Sequence, residues 1–462
     1  MPARPNLKRA AVLAASGVLA LSGCAAILGI EEPSDRALDG GADHAADSAL
    51  GQDAAGDSAV EHDAGDGRDG ASSDGGTEGG KDGGPDVGTG FVSISVGDHA
   101  CGVTGDGRVA CWGSNELAQV APGSDAGVLY APEFVKGVTD AKQVSVAQRT
   151  SCALLGNGKV KCWGVLGNAP IPVQTIQAAG GGDLTGVEAV DLGFGPGGYS
   201  GAGALVVLKM ASGGAQCLGS DDMGGCSTGA PLVSATPTPM LSAPATPFAG
   251  VVDVAAGESG FSCTVVAGGV VRCSGNVPRA DGVSGGVFLA STAKVTGGAT
   301  NFTGAANVAA GYQHACAVQA ADRGVVNCWG ANNFGQLGIA TPGVDYPEYV
   351  QGPVGGLTGK VMNLSAGYQH SCVSLDNGTA QCWGYGGNGQ LGQGQKISST
   401  TAVTVQGLPG GKVVRSVSAG FQVSCATMTD GTGYCWGKGD KGQLGDGMGQ
   451  QSDIPVQVSA PK

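Results

Sequence analysis

The chain has 462 residues, a formal net charge of −14 and 88 glycines. The charge is unevenly placed: residues 31–90 hold 16 acidic and 3 basic side chains in a background of Gly, Ala and Ser, whereas residues 91–462 hold 22 acidic and 18 basic. A nearly balanced body without a basic stripe lacks the electrostatic footprint of a phosphate-backbone binder, which excludes nucleic acid from the expected partners.

At the start, Arg4, Lys8 and Arg9 precede an apolar run over 10–21, and Leu21-Ser22-Gly23-Cys24 follows. This order predicts a secretory signal peptide over residues 1–23, closed by a lipobox. The run is shorter than the roughly 20 residues that a permanent span requires. The segment resembles the leader of bacterial lipoproteins. That resemblance implies a diacylglycerol on the Cys24 sulfur, cleavage just before it and acylation of the new amino group. Several acyl chains anchor stably where one does not, so the expected membrane attachment is through lipid only, in the cell envelope. Ala25 gives no aspartate-type retention signal, which points to the outer membrane. An ordinary signal peptide with an incidental cysteine is the alternative.

Residues 31–90, the bulk of the segment 24–90 that follows the leader, carry almost no large apolar side chains. Such a segment buries too little surface to offset its ordering entropy, and its like charges repel, so it is expected to be a disordered tether. The run Asp63-Ala64-Gly65-Asp66-Gly67-Arg68-Asp69-Gly70 has carboxylates at short spacing, but the closing bidentate Glu of a calcium loop is missing.

From residue 91 the chain repeats itself. A run of Ser or Ala, Gly, a polar residue, Cys, apolar residues, Gly and finally Cys-Trp-Gly recurs at 95–113, 145–164, 308–330, 364–384 and 417–437. A sixth copy, 254–275, has Ser274 in place of Trp, and a seventh, 191–219, keeps only Cys217-Leu218-Gly219. Seven units of about 53 residues approach the length of propeller blades. Within a unit, Cys152-Ala153-Leu154-Leu155, Gly156-Asn157-Gly158 and Lys159-Val160-Lys161-Cys162 read as two antiparallel strands about a tight turn. Residues 91–462 are therefore expected to form one all-β, seven-bladed β-propeller.

Trp329-Gly330-Ala331-Asn332-Asn333-Phe334-Gly335-Gln336-Leu337-Gly338, and the Gly-Gln-Leu-Gly endings at 389–392 and 442–445, resemble the signature of the regulator of chromosome condensation repeat. The resemblance implies a seven-bladed propeller whose chain ends share a blade. Ile454-Pro455-Val456-Gln457-Val458 would then pair with the sheet begun by Phe91-Val92-Ser93-Ile94-Ser95.

After Cys24, fourteen cysteines remain. Six pairs sit on hairpins: Cys101 and Cys111, Cys152 and Cys162, Cys263 and Cys273, Cys316 and Cys328, Cys372 and Cys382, Cys425 and Cys435. A separation of ten about a three-residue turn places the two sulfurs directly opposite each other, within reach of a cross-strand disulfide. In an exported protein one bridge per blade is expected, with buried free thiols as the alternative. Cys217 and Cys226 are nine apart, the wrong parity for one hairpin, and a bridge across a loop is their remaining option. His99, His314 and His370 occupy one repeat position and the five tryptophans another, which assigns both sets to structure rather than to catalysis or ligand stacking.

Removing those residues leaves no nucleophile elbow, phosphate loop or metal-binding histidine pair. The expectation is a binding or interaction scaffold for a protein or glycan, monomeric, without cofactor or metal, and not an enzyme. Candidate binding residues are the aromatics of the inserts: Tyr130, Phe134, Phe194, Tyr199, Tyr346 and Tyr349. The alternatives are a propeller enzyme acting on polysaccharide and, by family analogy, guanine-nucleotide exchange, which export disfavours.

Overall fold

The computed structural model describes residues 88–462 apart from 167–168, 194–203, 222–223, 230–231, 276–286, 294–299 and 341–349. The expected signal peptide, Cys24 and the expected tether as far as residue 87 lie outside the described residues.

Seven blades form an all-β propeller. In blade 1, strands β1 (Phe91–Val96), β2 (His99–Thr104), β3 (Val109–Ser114) and β4 (Val128–Phe134) pair in sequence order as an antiparallel meander. Blades 2, 3, 4, 6 and 7 repeat this over 141–175, 187–239, 251–292, 361–404 and 414–457. Blade 5 pairs three strands over 305–330, and Gln351 bridges Cys328 where the fourth would begin. The two middle strands of a blade are covered on both faces, so β2 and β3 read as continuous buried runs. The outer strand of blade 2, Ala169–Thr175, alternates between exposed and half-buried, as a strand covered on one side must.

The glycine of each Cys-Trp-Gly takes a left-handed backbone, φ +103° at Gly113, +93° at Gly164 and +105° at Gly437. Glycine adopts this conformation at little cost. There the register to the fourth strand shifts, a bulge that turns the chain toward the outer edge.

The first strands of consecutive blades touch around an axis, and the circle is completed by contact of Val414–Ala419 with β1. The chain ends do not share a sheet, which corrects the expected closure: Ser452–Gln457 pairs with Gly433–Gly437 inside blade 7, while β1 pairs only with β2. The reason is radial. Residues 414–457 complete a four-stranded meander on their own, placing the last strand at the rim, whereas β1 is innermost. Closure comes instead from blade packing and the C-terminal tail, where Lys462 N donates to Pro132 O at 3.0 Å and Phe134 N to Lys462 O at 3.2 Å.

All six hairpin cysteine pairs stand opposite in register, with Cα atoms 4.0 or 4.1 Å apart and sulfurs bonded. Cys217 is bonded to Cys226, Cα atoms 5.7 Å apart, and Val207 fills the place opposite Cys217. Non-reducing peptide mapping is expected to return these pairs, and free thiols at Cys372 and Cys382 would contradict them. A bridge closing so short a loop stabilises by at most about 3 kcal/mol. Serine at both Cys372 and Cys382 is therefore expected to lower the melting temperature without abolishing the fold.

Candidate functional site

The repeated histidines and tryptophans are spent on holding blades together. Trp112, Trp163, Trp383 and Trp436 are fully buried, and each indole N–H donates to the backbone carbonyl of a glutamine in the preceding blade: Gln443, Gln119, Gln336 and Gln390, at 2.8–3.0 Å. Each glutamine is fixed in turn, its Oε1 accepting the backbone N–H two residues earlier. Ser151 and Ser424 donate to the same Gln119 and Gln390 carbonyls, at 2.9 and 2.8 Å. Their oxygens lie 2.7 Å from His99 Nε2 and 2.8 Å from His370 Nε2. Because each serine has one proton, already given to a carbonyl, the histidine donates from Nε2. His314 meets Ser371 likewise at 2.8 Å. Burial pushes all three imidazoles down to about 3. Each histidine thus bonds to a serine on the second strand of the next blade.

Around the axis, inner-strand side chains reach the next blade. Ser95 Oγ accepts Val146 N at 3.1 Å, Ser145 Oγ accepts Leu192 N at 3.1 Å, and Asp191 Oδ2 accepts Ala256 N at 2.9 Å. The series continues through Asp253 Oδ2 with Val308 N at 3.0 Å, Ser365 Oγ with Ala419 N at 3.0 Å, and Ser418 Oγ with Val96 N at 3.1 Å. Alternate residues of each first strand face this polar channel because strand side chains alternate with period two. Cavities of about 160 and 340 Å³ lie along it. Burial pushes the Asp191 and Asp253 carboxyls up to about 6, against the hydrogen bonds that favour their ionised forms.

At one end of the channel the turn between first and second strands supplies one side chain per blade: Asp98, Gln148, Glu258, Tyr312, Tyr368 and Phe421 from blades 1, 2, 4, 5, 6 and 7. All are half-buried. Tyr312 and Tyr368 have ring centroids 4.3 Å apart, and Tyr368 and Phe421 4.7 Å. Phe421 reaches across to the core shared by blades 2 and 3. Glu258 lines the smaller cavity. Its Oε2 is buried without a hydrogen-bond partner among the described residues, and burial, then the Asp98 charge, hold its carboxyl well above the usual range. Burial likewise pushes Asp98 up to about 6, against Gln148, Lys441, Lys438 and Arg149, which favour its ionised form. Burial, with Tyr312 beside it, raises the Tyr368 hydroxyl to about 12.

Of the aromatic residues expected to bind, Tyr130 is 44% exposed at the rim of blade 1, near Gly449. Phe134 lies half-buried in the same strand under the Arg108 guanidinium, 3.7 Å from its ring centroid. The two are not brought together into one surface with the channel mouth. Phe194, Tyr199, Tyr346 and Tyr349 fall outside the described residues. The mouth residues were missed by sequence reasoning. The available signal was their place: between the repeated Gly or Ala and the histidine position, a site where the units differ in chemistry.

Profiles for the regulator of chromosome condensation (RCC1) repeat match residues 323–374 and 430–462, and, in a second form, 91–119, 305–336, 363–390 and 414–443. These matches support RCC1-type repeats in the propeller. Among curated proteins the chain is similar to human E3 ubiquitin-protein ligase HERC2, 33% identical over 141 residues that make 30% of this chain and 3% of that protein. It is also similar to zebrafish (Danio rerio) E3 ubiquitin-protein ligase MYCBP2, 37% identical over 86 residues, 19% of this chain and 2% of that protein. The chain thus spans a small fraction of these relatives. Their names correct the expectation that the chain is not an enzyme: both relatives are named as E3 ubiquitin-protein ligases, and the chain matches them only through short stretches of repeat. Among solved structures the fold is similar to human WBSCR16, with TM-score 0.62, 20% identity and coverage of 76% of this chain and 94% of that one. It is also similar to the structure of Kap60 bound to yeast RCC1 (Prp20), with TM-score 0.56, 17% identity and coverage of 72% and 79%.

Proposed function

We propose that this chain is an envelope-anchored lipoprotein whose RCC1-type propeller is an interaction scaffold, and that the channel mouth formed by Asp98, Gln148, Glu258, Tyr312, Tyr368 and Phe421 is its recognition face. The observation that carries this reading is internal to the repeat. The Trp-to-Gln carbonyl bond that holds neighbouring blades together is the same in four blades. The mouth position instead offers two carboxylates, an amide and three aromatic rings on one face. Half-buried aromatics flanked by polar groups are the usual make-up of interface anchors. The solved complex of yeast RCC1 (Prp20) with Kap60 supports a protein as the partner class, with a glycan as the second.

Export and anchoring are supported by the seven bonded cysteine pairs, which belong to an oxidising compartment, and by the lipobox ending at Cys24. Among the described residues no helix is long and apolar enough to cross a membrane. Residues 24–90 would act as the tether, and blocking lipoprotein signal peptidase should leave an uncleaved precursor.

Affinity capture from envelope extract tests the recognition face. Serine at both Tyr312 and Phe421 is expected to abolish capture while Tyr130→Ala leaves it intact, with thermal melts confirming that both variants fold. The reverse pattern would move the recognition surface to the rim of blade 1.

A further inference from the structure

At the channel mouth one buried acidic oxygen has no hydrogen-bond partner among the described residues. Glu258 Oε2 is buried and lacks a hydrogen-bond donor among the described residues, although Glu258 is anchored next to blade 5 by its own N–H, which donates to Gly311 O at 2.8 Å. Tyr312 follows that carbonyl directly in sequence, and its ring stacks on Tyr368 at 4.3 Å. Glu258 also lies close enough to Tyr368 for its charge to raise the phenol. A buried carboxylate oxygen is costly unless something pairs with it.

The surroundings select the kind of cation. Asp98, the other mouth carboxylate, already faces Gln148, Arg149, Lys438 and Lys441, so the uncompensated end is the one at blades 4 to 6. Hard divalent cations require six to eight oxygen ligands or an octahedron, and the described residues bring no group of three or more His, Cys, Asp or Glu together. Aromatic faces instead attract weakly hydrated organic cations through the ring quadrupole, which is how aromatic cages hold alkylated ammonium groups.

We propose that the channel mouth at blades 4–6 binds an alkylammonium group, its charge paired with the Glu258 carboxylate and its alkyl groups against the rings of Tyr312 and Tyr368. The proposal rests on the channel mouth being the recognition face and names the chemistry that face takes. The group can arrive on a free small amine or on a methylated lysine of a partner chain, and two probes separate these sources.

The test is calorimetric titration of the full chain with tetramethylammonium chloride, and separately with the peptide acetyl-Gly-(trimethyl-Lys)-Gly-amide, each against sodium chloride at equal ionic strength. Saturable heat with either probe, absent with sodium, is expected. A peptide affinity about tenfold above that of the simple ion would identify a partner side chain as the source, and equal affinities a free amine. Glu258→Gln keeps the shape and removes the charge, so it is expected to lower affinity about tenfold while melting no lower than wild type. Tyr368→Leu, with its fold checked by thermal melt, should weaken both probes. No saturable binding, or binding unchanged in Glu258→Gln and Tyr368→Leu, overturns the assignment. If the capture experiment still depends on Tyr312 and Phe421 in that case, the recognition face stands and only its cation chemistry falls.

Discussion

Trp383→Ala is expected to destabilise the propeller by about 3–5 kcal/mol, the range for removing a large aromatic from a packed core. The side chain is fully buried and packs in a cluster that joins blades 5 and 6, with Val326, Cys328, Leu337 and Val354 from one and Val373 and Ala402 from the other. Three losses coincide. The ring leaves a cavity between two sheets that backbone pairing holds apart. Gln336 O loses the indole N–H bond of 3.0 Å. Gly338, which takes φ +67° with the indole nitrogen only 3.0 Å from where a Cβ would stand, loses the surface its close approach was shaped for. Chemical denaturation followed by circular dichroism reads the effect directly. A melt unchanged from wild type, with partner capture lost, would reassign Trp383 from packing to ligand contact.

The fold was legible because the repeat makes its own case. Cysteines ten residues apart about a Gly-centred turn admit essentially one hairpin geometry, and the structure gives it at Cys152 and Cys162. Blade 3 was harder to read, since Val207 replaces the first cysteine and its partner Cys217 bonds out to Cys226. Strand pairing there rests on the apolar run of Leu205–Met210 instead. Ring closure was misread because alternation identifies a strand but not its neighbour: Ser452–Gln457 has the pattern of a strand, and only the radial order of the sheet shows which edge it joins. The candidate site was the least legible part. Aromatics in long inserts stand out in a sequence, whereas Glu258, Tyr312 and Tyr368 occupy ordinary turn positions. They meet only because the turns of successive blades converge on one axis, a consequence of closure that no single unit encodes.

Acid stability is expected to reflect two sets of buried groups that act with opposite sign. His99, His314 and His370 are held near 3 in the fold against an ordinary 6.5, by burial. Below pH 6.5 the unfolded chain takes up protons that the folded chain refuses, so the stability these neutral rings contribute is complete above 6.5 and is lost as pH falls toward 3. Each shift corresponds to something on the order of 5 kcal/mol, and three together approach the whole stability of an ordinary domain. Asp98, Asp191 and Asp253 run the other way, raised by burial to about 6 from an ordinary 3.8. Between those values the folded chain binds the extra protons, so their contribution is present below 3.8 and is lost as pH rises through about 6. The two slopes oppose each other between about pH 6 and 4. The melting temperature of the wild-type chain should therefore change little across that window and fall steeply below pH 4, where the carboxyls have no further protons to take up. Asparagine at both Asp191 and Asp253 keeps an oxygen to accept from Ala256 N and Val308 N but removes two of the opposing titrations. That variant should melt above wild type at pH 7 and lose its advantage progressively on acidification to pH 4, its curve converging on that of wild type. Parallel curves for the two proteins over pH 7 to 4 would show that the channel carboxyls titrate alike in the folded and unfolded chains, and would remove the channel from the account of acid stability.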